Sequence, residues 1–421
     1  MSYRSGCGSV VGAILTLMAG TLLAAPASAQ SGEPIKIGFS MALTGGLAPN
    51  GKSALLAQKL WEEDVNAKGG LLGRPVKLVY YDDKSSPAEV PAIYTKLLDV
   101  DKVELVVGPY ATAQIAPAMP IVMQKKKTFI GLLGLAVNTE FNYPNYFAMI
   151  PSGPDAKPAF TKGFFDVAMA QGAKPQTVAI VAADQEFSRN AADGARENAK
   201  TTNLRVVYDR TYPPSTADFA PIVRAIQASN PDLVVVCSYP PDSVGIVRSV
   251  NEIGFKPKAI GGAMVGLQAT AIKTQLGPLL NGWINYDFWL PVPKMEFAGV
   301  GDLIKRYQAK AGAEGVDPLG YYMAPWGYAQ LQVLQQAVEG TKSLDDAKLG
   351  DYIRTNTFKT VVGDVKFGAK GEWEKSRVLQ VQFQNVKGNS VDQFKDVSTQ
   401  VVVAPADYAS GTLVYPYEKA H

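Results

Sequence analysis

This 421-residue chain predicts an α/β fold of two lobes, each built on a doubly wound sheet of Rossmann type. Three observations predict it. Short apolar, β-branched runs alternate with stretches of helical period; the alternation stops near residue 150 and starts again; and a strand-rich tail follows two late helices. With 47% hydrophobic residues and a net charge of +3, the composition suits two such cores rather than a disordered chain.

The first strands are expected over residues 35–43, 76–81, 104–108 and 128–132. Between them Ala54, Ala57, Trp61 and Val65, and then Val90, Tyr94, Leu97 and Leu98, recur at helical steps. Each helix therefore has one stripe to bury, and a parallel sheet needs such cover on both faces. After a strand over 146–150 and Pro151 the pattern restarts: helix 155–171, strand 177–183, helix 188–201, strand 204–212, helix 218–229 and strand 233–237. Beyond a strand over 283–288, helices are expected over 297–311 and 321–339, followed by strands over 361–367, 378–386 and 401–403. Strands that follow late helices mean that the chain passes between lobes more than once. That order leaves a cleft bounded by the carboxyl ends of both sheets, where ligands of open α/β sheets collect.

Residues 1–29 read as a secretory signal peptide: Arg4, an uncharged apolar run over 10–25, then Ala27-Ser28-Ala29 before Gln30. The run falls short of the ~20 residues needed to span a bilayer, and no later segment reaches that length and apolarity. Cleavage after Ala29 removes Cys7 and leaves Cys237 alone, so no intramolecular disulfide is expected. The predicted product is an exported, periplasmic protein.

His421, the last residue, is the only histidine. A Ser/His/Asp triad, a Cys/His pair and a histidine-bearing zinc site each lack their histidine, so no enzyme, catalytic residue, metal or cofactor is expected. Cys237 then reads as a small buried hydrophobe. Glu62-Glu63 and Asp82-Asp83 read as solvated faces or caps. The longest basic block, Lys125-Lys126-Lys127, is too short for a phosphate-backbone footprint, and nucleic acid is not an expected partner.

Gly46 to Gly51-Lys52-Ser53 fits the spacing of a phosphate loop, G-x-x-x-x-G-K-[ST], between a strand and a helix. An exported chain meets no ATP, and no later strand end supplies the acidic metal partner that phosphoryl transfer requires. Glycines at such a turn still let backbone N–H groups face an anion at a helix start, which makes Asn50, within this turn, a candidate ligand contact.

The same region carries a resemblance. Thr44-Gly45-Gly46, then Asn66-Ala-Lys-Gly69-Gly70-Leu-Leu-Gly73-Arg-Pro-Val-Lys-Leu, then Tyr81-Asp82-Asp83, resembles the opening of the leucine/isoleucine/valine-type periplasmic binding proteins. Val107-Gly108-Pro109 with Thr112 and Pro117, Asp184 with Phe187, and Val362-Gly363-Asp364 extend it over nearly the whole mature chain. The resemblance implies two lobes joined by three crossovers, with a hinge that closes on a small solute. The implied division is 33–150 plus 288–362 for the first lobe and 151–287 plus 363–421 for the second. A permease of an ABC importer in the inner membrane is the implied partner, and a monomer is expected.

Carried over residue by residue, the resemblance puts the solute carboxylate on Tyr110, Ala111 and Thr112 and on a second loop, Leu133, Gly134 and Leu135. Thr112 keeps a hydroxyl, whereas Leu135 stands where relatives usually offer one. Phe187 and Tyr239 form the opposing wall, and Phe288 and Trp289 are further aromatic candidates. Ala263 stands near the position where amino-acid-binding relatives place an acid for the solute ammonium. Since Ala263 cannot pair with a cation, and burying an unpaired ammonium is costly, the expected ligand is a small carboxylate, aromatic or branched, unless Asp184, Asp242 or Asp287 substitutes. An ordinary branched-chain amino acid receptor, and a receptor feeding a membrane sensor, stay open as alternatives.

Overall fold

The computed structural model describes residues 32–421 together with Met1, Tyr3, Gly6 and Gly8; the signal peptide expected over 1–29 lies almost wholly outside the described residues. The first half runs β1 (Ile35–Met41), α1 (Ala48–Ala67), β2 (Val76–Asp82), α2 (Val90–Asp99), β3 (Leu105–Val106), α3 (Thr112–Gln124), β4 (Phe129–Gly131), α4 (Val137–Phe141) and β5 (Tyr146–Ala148). Strands β2, β1 and β3 pair in parallel, as do β4 and β5. A Tyr110–Leu132 bridge and the Gly108 N–H on the Ile130 carbonyl (2.8 Å) join the two ribbons. Gly108 permits that approach, because a Cβ there would lie 2.7 Å from the Gly131 backbone.

The second half runs α5 (Ala156–Met169), β6 (Thr177–Ala183), α6 (Glu186–Thr201), β7 (Arg205–Tyr212), α7 (Ala220–Ala228), β8 (Leu233–Ser238), α8 (Pro240–Ile253), β9 (Ala259–Met264), α9 (Thr270–Leu276) and β10 (Ile284–Asp287). Helices α10 (Val300–Glu314), α11 (Ala324–Thr341) and α12 (Asp346–Thr355) follow, then β11 (Thr357–Thr360), β12 (Gly363–Lys366), β13 (Leu379–Phe383) and β14 (Gln400–Ala404). One seven-stranded sheet, ordered β14-β13-β10-β9-β8-β6-β7, forms the second lobe, antiparallel only where β13 and β14 join. Its central strands β6, β8 and β9 are buried throughout, as expected of strands covered on both faces.

Late helices return to the first lobe. Arg306 of α10 grips Asp64 of α1 through two bonds of 2.7 and 2.8 Å, and Gln330 of α11 donates to the Gly108 and Ile130 carbonyls, spanning the seam between β3 and β4. Residues from 363 onward were expected in the second lobe, but β12 pairs with β11, Phe367 packs on Phe147 at 5.2 Å, and the Ala148 N–H donates to the Gly371 carbonyl at 2.8 Å. The final passage between lobes therefore comes later, where the Arg377 N–H reaches the Pro151 carbonyl just before β13. Val365 and Phe367 alternate inward like any half-buried strand, so the local pattern does not say which lobe buries them.

Two charged side chains lie buried beside that passage. Both Glu372 carboxylate oxygens lack a hydrogen-bond partner, and burial pushes the group up to about 8. The Arg377 guanidinium sits over the rings of Trp373 (4.9 Å), Phe297 (5.0 Å) and Trp326 (5.7 Å), and burial brings it down to about 10. Among the described residues, no helix is long and apolar enough to cross a membrane.

Candidate functional site

The turn from β1 into α1 does not form a phosphate cradle. Helix α1 begins at Ala48, so Gly51, Lys52 and Ser53 are helical, and Gly51 sits where a Cβ would strike the Ala42 carbonyl oxygen at 2.0 Å. Its glycine serves close helix–strand packing. Ser53 is engaged by the Tyr307 hydroxyl at 2.7 Å, and Asn50 donates to the Tyr110 hydroxyl at 2.9 Å.

A tightly closed cage lies between the lobes. The loop ahead of α3 supplies Tyr110, Ala111 and Thr112, and the loop after β4 supplies Leu133. From the second lobe come Phe187 at the start of α6, Tyr239 ahead of α8, Val265 after β9 and Tyr286 on β10. Ile150 and Phe288, on the first two passages between lobes, and Tyr322, ahead of α11, complete it. Its rings meet at angles typical of aromatic packing: Phe187 on Tyr239 edge-on at 6.0 Å, Tyr110 on Tyr322 edge-on at 6.3 Å, and Phe288 stacked on Tyr322 at 6.0 Å.

Polar groups in the cage are few. The Leu135 N–H donates to the Thr112 hydroxyl oxygen at 2.9 Å, so the hydroxyl's own hydrogen is left for another acceptor. The amides of Thr112 and Ala113 belong to the first turn of α3, where a helix leaves its N–H groups without intrahelical partners and favours an anion. Ala111 holds φ 80, ψ 147, a conformation close to that reserved for glycine, and so turns the chain sharply into α3. The Tyr286 and Tyr322 hydroxyls meet at 3.0 Å, and the Tyr239 hydroxyl is buried. Burial keeps these phenols neutral: Tyr110 is pushed up to about 12, and Tyr239, Tyr286 and Tyr322 are raised as well.

Tyr110, Ala111, Thr112, Leu133, Phe187 and Tyr239 thus come together, while Asn50, Gly134, Leu135 and Ala263 do not line the cage. Gly134 backs the second loop against Ile115, Asn50 stands behind Tyr110, and Ala263 is fully buried within β9 opposite Cys237. Cys237 is buried too, its thiol pushed up by burial. None of the three aspartates reaches the cage. Asp184 pairs with Arg189 at 2.9 Å on the surface; Asp242 accepts from the Tyr212 hydroxyl and the Tyr239 N–H; Asp287, buried and pushed up to about 6 by burial, accepts from the Phe288 N–H. Trp289 donates to the Met295 carbonyl, outside the cage.

Ile150, Val265, Tyr286 and Tyr322 were not among the sequence candidates. All four strand residues of β10 are buried, so no alternation marks Tyr286 as facing a ligand, and Ile150 and Tyr322 sit on connecting segments without period.

A family model described as "Periplasmic binding protein" matches residues 34–387. The Leu/Ile/Val-binding protein of Escherichia coli (strain K12) is 27% identical over 361 residues, which are 85% of this chain and 92% of that protein. Among solved structures, a leucine-binding protein from Thermotoga maritima aligns with a TM-score of 0.72 at 20% identity, covering 84% of this chain and 96% of its own. A solute-binding protein of an ABC transporter from R. palustris, solved in complex with benzoate, aligns with a TM-score of 0.72 at 17% identity, covering 90% and 98%.

Proposed function

Because the chain belongs to the periplasmic binding protein family, in its Leu/Ile/Val-binding branch of ABC-transporter solute-binding proteins, we propose that it binds an aromatic carboxylate in the cage between its lobes. One observation carries this reading: the eleven lining residues include six aromatic rings and no charged side chain. An α-amino acid brings an ammonium as well as a carboxylate, and an ammonium buried without a counter-charge loses several kcal/mol of solvation. A carboxylate alone needs only donors, and Thr112 with the first turn of α3 supplies them. The ring then packs between Phe187, Tyr239, Tyr286 and Phe288, each aromatic pair adding ~1 kcal/mol beyond area burial. The benzoate bound by the R. palustris protein is chemistry of this kind.

The mechanism is a population shift. Solute that touches Thr112 from one lobe and Tyr239 from the other favours the closed arrangement by its differential affinity, and an inner-membrane permease reads that surface. The lobes divide near residues 150–152, 288–290 and 372–378. The signal sequence over 1–29 directs the chain to the periplasm, where it acts as a monomer without catalysis.

A thermal-shift panel of benzoate, phenylacetate, leucine and valine tests the reading, since a ligand specific to the folded state raises apparent stability by mass action. Benzoate or phenylacetate should give the largest shift. The largest shift with leucine or valine would restore the ordinary amino-acid receptor that the Escherichia coli relative's name describes.

A further inference from the structure

Beside the aromatic cage lies a second small space, with room for about one water-sized group, whose lining includes Asn50, Ser53, Gln268, Asp317, Tyr322 and Met323. Tyr322 lines both spaces, and Asn50 is bonded to the cage residue Tyr110. The lining of this annex carries more amide and carboxylate side chains than that of the cage.

Its polar atoms have a definite sense. Gln268 is 4% exposed, and its Nε2 donates to the Tyr286 carbonyl at 2.8 Å, which fixes the amide because a carbonyl cannot donate in return. Oε1 is therefore the acceptor, and it is buried without a partner. The Ser53 Oγ accepts from the Tyr307 hydroxyl at 2.7 Å, which leaves its hydrogen free to turn toward another acceptor. Asp317 is already engaged by the Thr270 N–H and hydroxyl and by the Leu319 and Gly320 N–H groups, at 2.7–3.0 Å. Two of the lining residues thus carry unused capacity, Gln268 an unmet acceptor and Ser53 an available donor. A neutral hydroxyl, which donates once and accepts, answers both. A methyl or a bare ring edge answers neither.

We infer that the annex receives a hydroxyl carried by the solute at a ring position away from its carboxylate, so that the solute class is a hydroxy-substituted aromatic acid. This rests on the aromatic-acid reading of the cage and narrows it.

Titration calorimetry of the mature chain with benzoate, 3-hydroxybenzoate, 4-hydroxybenzoate and leucine tests it, repeated on Gln268→Leu and Ser53→Ala, each checked for folding by its thermal melt. One hydroxybenzoate should bind about tenfold or more tightly than benzoate, and each substitution should pull that ratio toward one. The two variants report independently, so a folding failure in one leaves the other to decide. Benzoate binding as tightly as both hydroxybenzoates, or a preference that survives both substitutions, would overturn the annex and leave the aromatic cage standing. Binding of leucine with no binding of any aromatic acid would overturn the cage reading and the annex together.

Discussion

Asn190 of α6, in the second lobe, donates from Nδ2 to the Leu135 carbonyl oxygen of the first lobe at 3.1 Å. The bond crosses the cleft and exists only while the lobes are together. It also ties down the loop whose Leu135 N–H meets Thr112 on the other side. Asn190→Ala leaves the carbonyl able to find water, so the unliganded protein should keep its melting temperature. Affinity for the aromatic acid should fall about three- to tenfold, as expected for one modest hydrogen bond. Titration calorimetry reads the loss; unchanged affinity would mean that this bond adds nothing to closure.

Thr112 separates a hydroxyl contact from mere packing. Thr112→Val keeps the shape and removes the hydrogen directed at the carboxylate, while also stranding the Leu135 N–H in a buried position. Affinity should fall by about 1–3 kcal/mol. Thr112→Ser should keep most of it. Equal affinity across all three proteins, measured by titration, would remove Thr112 from the anion site.

Ala111 offers a test of stored strain. Its φ of 80 with ψ of 147 suits glycine, and a residue with a Cβ held in such a region costs about 1–3 kcal/mol. Against the extra freedom that glycine gains in the unfolded chain, Ala111→Gly should still stabilise the fold by about 1 kcal/mol, read from urea unfolding. A loss of stability would show that the Ala111 methyl, buried against the cage, contributes more than its backbone costs.

Glu372 should give stability a pH dependence. Burial raises its folded pKa from an ordinary 4.5 to about 8, so between those values the native state holds a proton that the unfolded chain has released. The contribution is complete below pH ~4.5 and fades as pH climbs through about 8. Glu372→Gln mimics the protonated form at every pH. Its melting temperature should match the wild type near pH 4.5 and exceed it near pH 8. Parallel melting curves across that range would mean that Glu372 gains a partner in solution.

Much of the fold was legible because it follows from period and composition. The 177–183 strand falls where its apolar, β-branched run lies, and the return of α10 and α11 to α1 is what a strand-rich tail after late helices requires. Boundaries blurred where two lobes compete for one segment: nothing local in Val365 or Phe367 names its burial partner, hence the displaced division at 362/363. At the cage, the family resemblance pointed to Thr112, Phe187 and Tyr239, and each stands where a strand hands over to a helix. Tyr286 and Tyr322 were not legible, because they meet only after chain segments 36 residues apart are brought together. Ala263 illustrates the opposite case. The absence of an acid holds for the whole cage, but the residue that lines it here is Val265, just after this strand, while Ala263 lies within the sheet.

Ile150 and Phe288 belong to the cage and also to the strands of chain on which the lobes would swing. A solute seated there rests near the pivot, where even wide opening displaces atoms little, while Asn190 at the rim travels on the long arm. Ring contacts near the pivot therefore set which guest fits, whereas the Asn190 contact at the rim, made and broken with each swing, sets how firmly the closed arrangement is held, and affinity feels both.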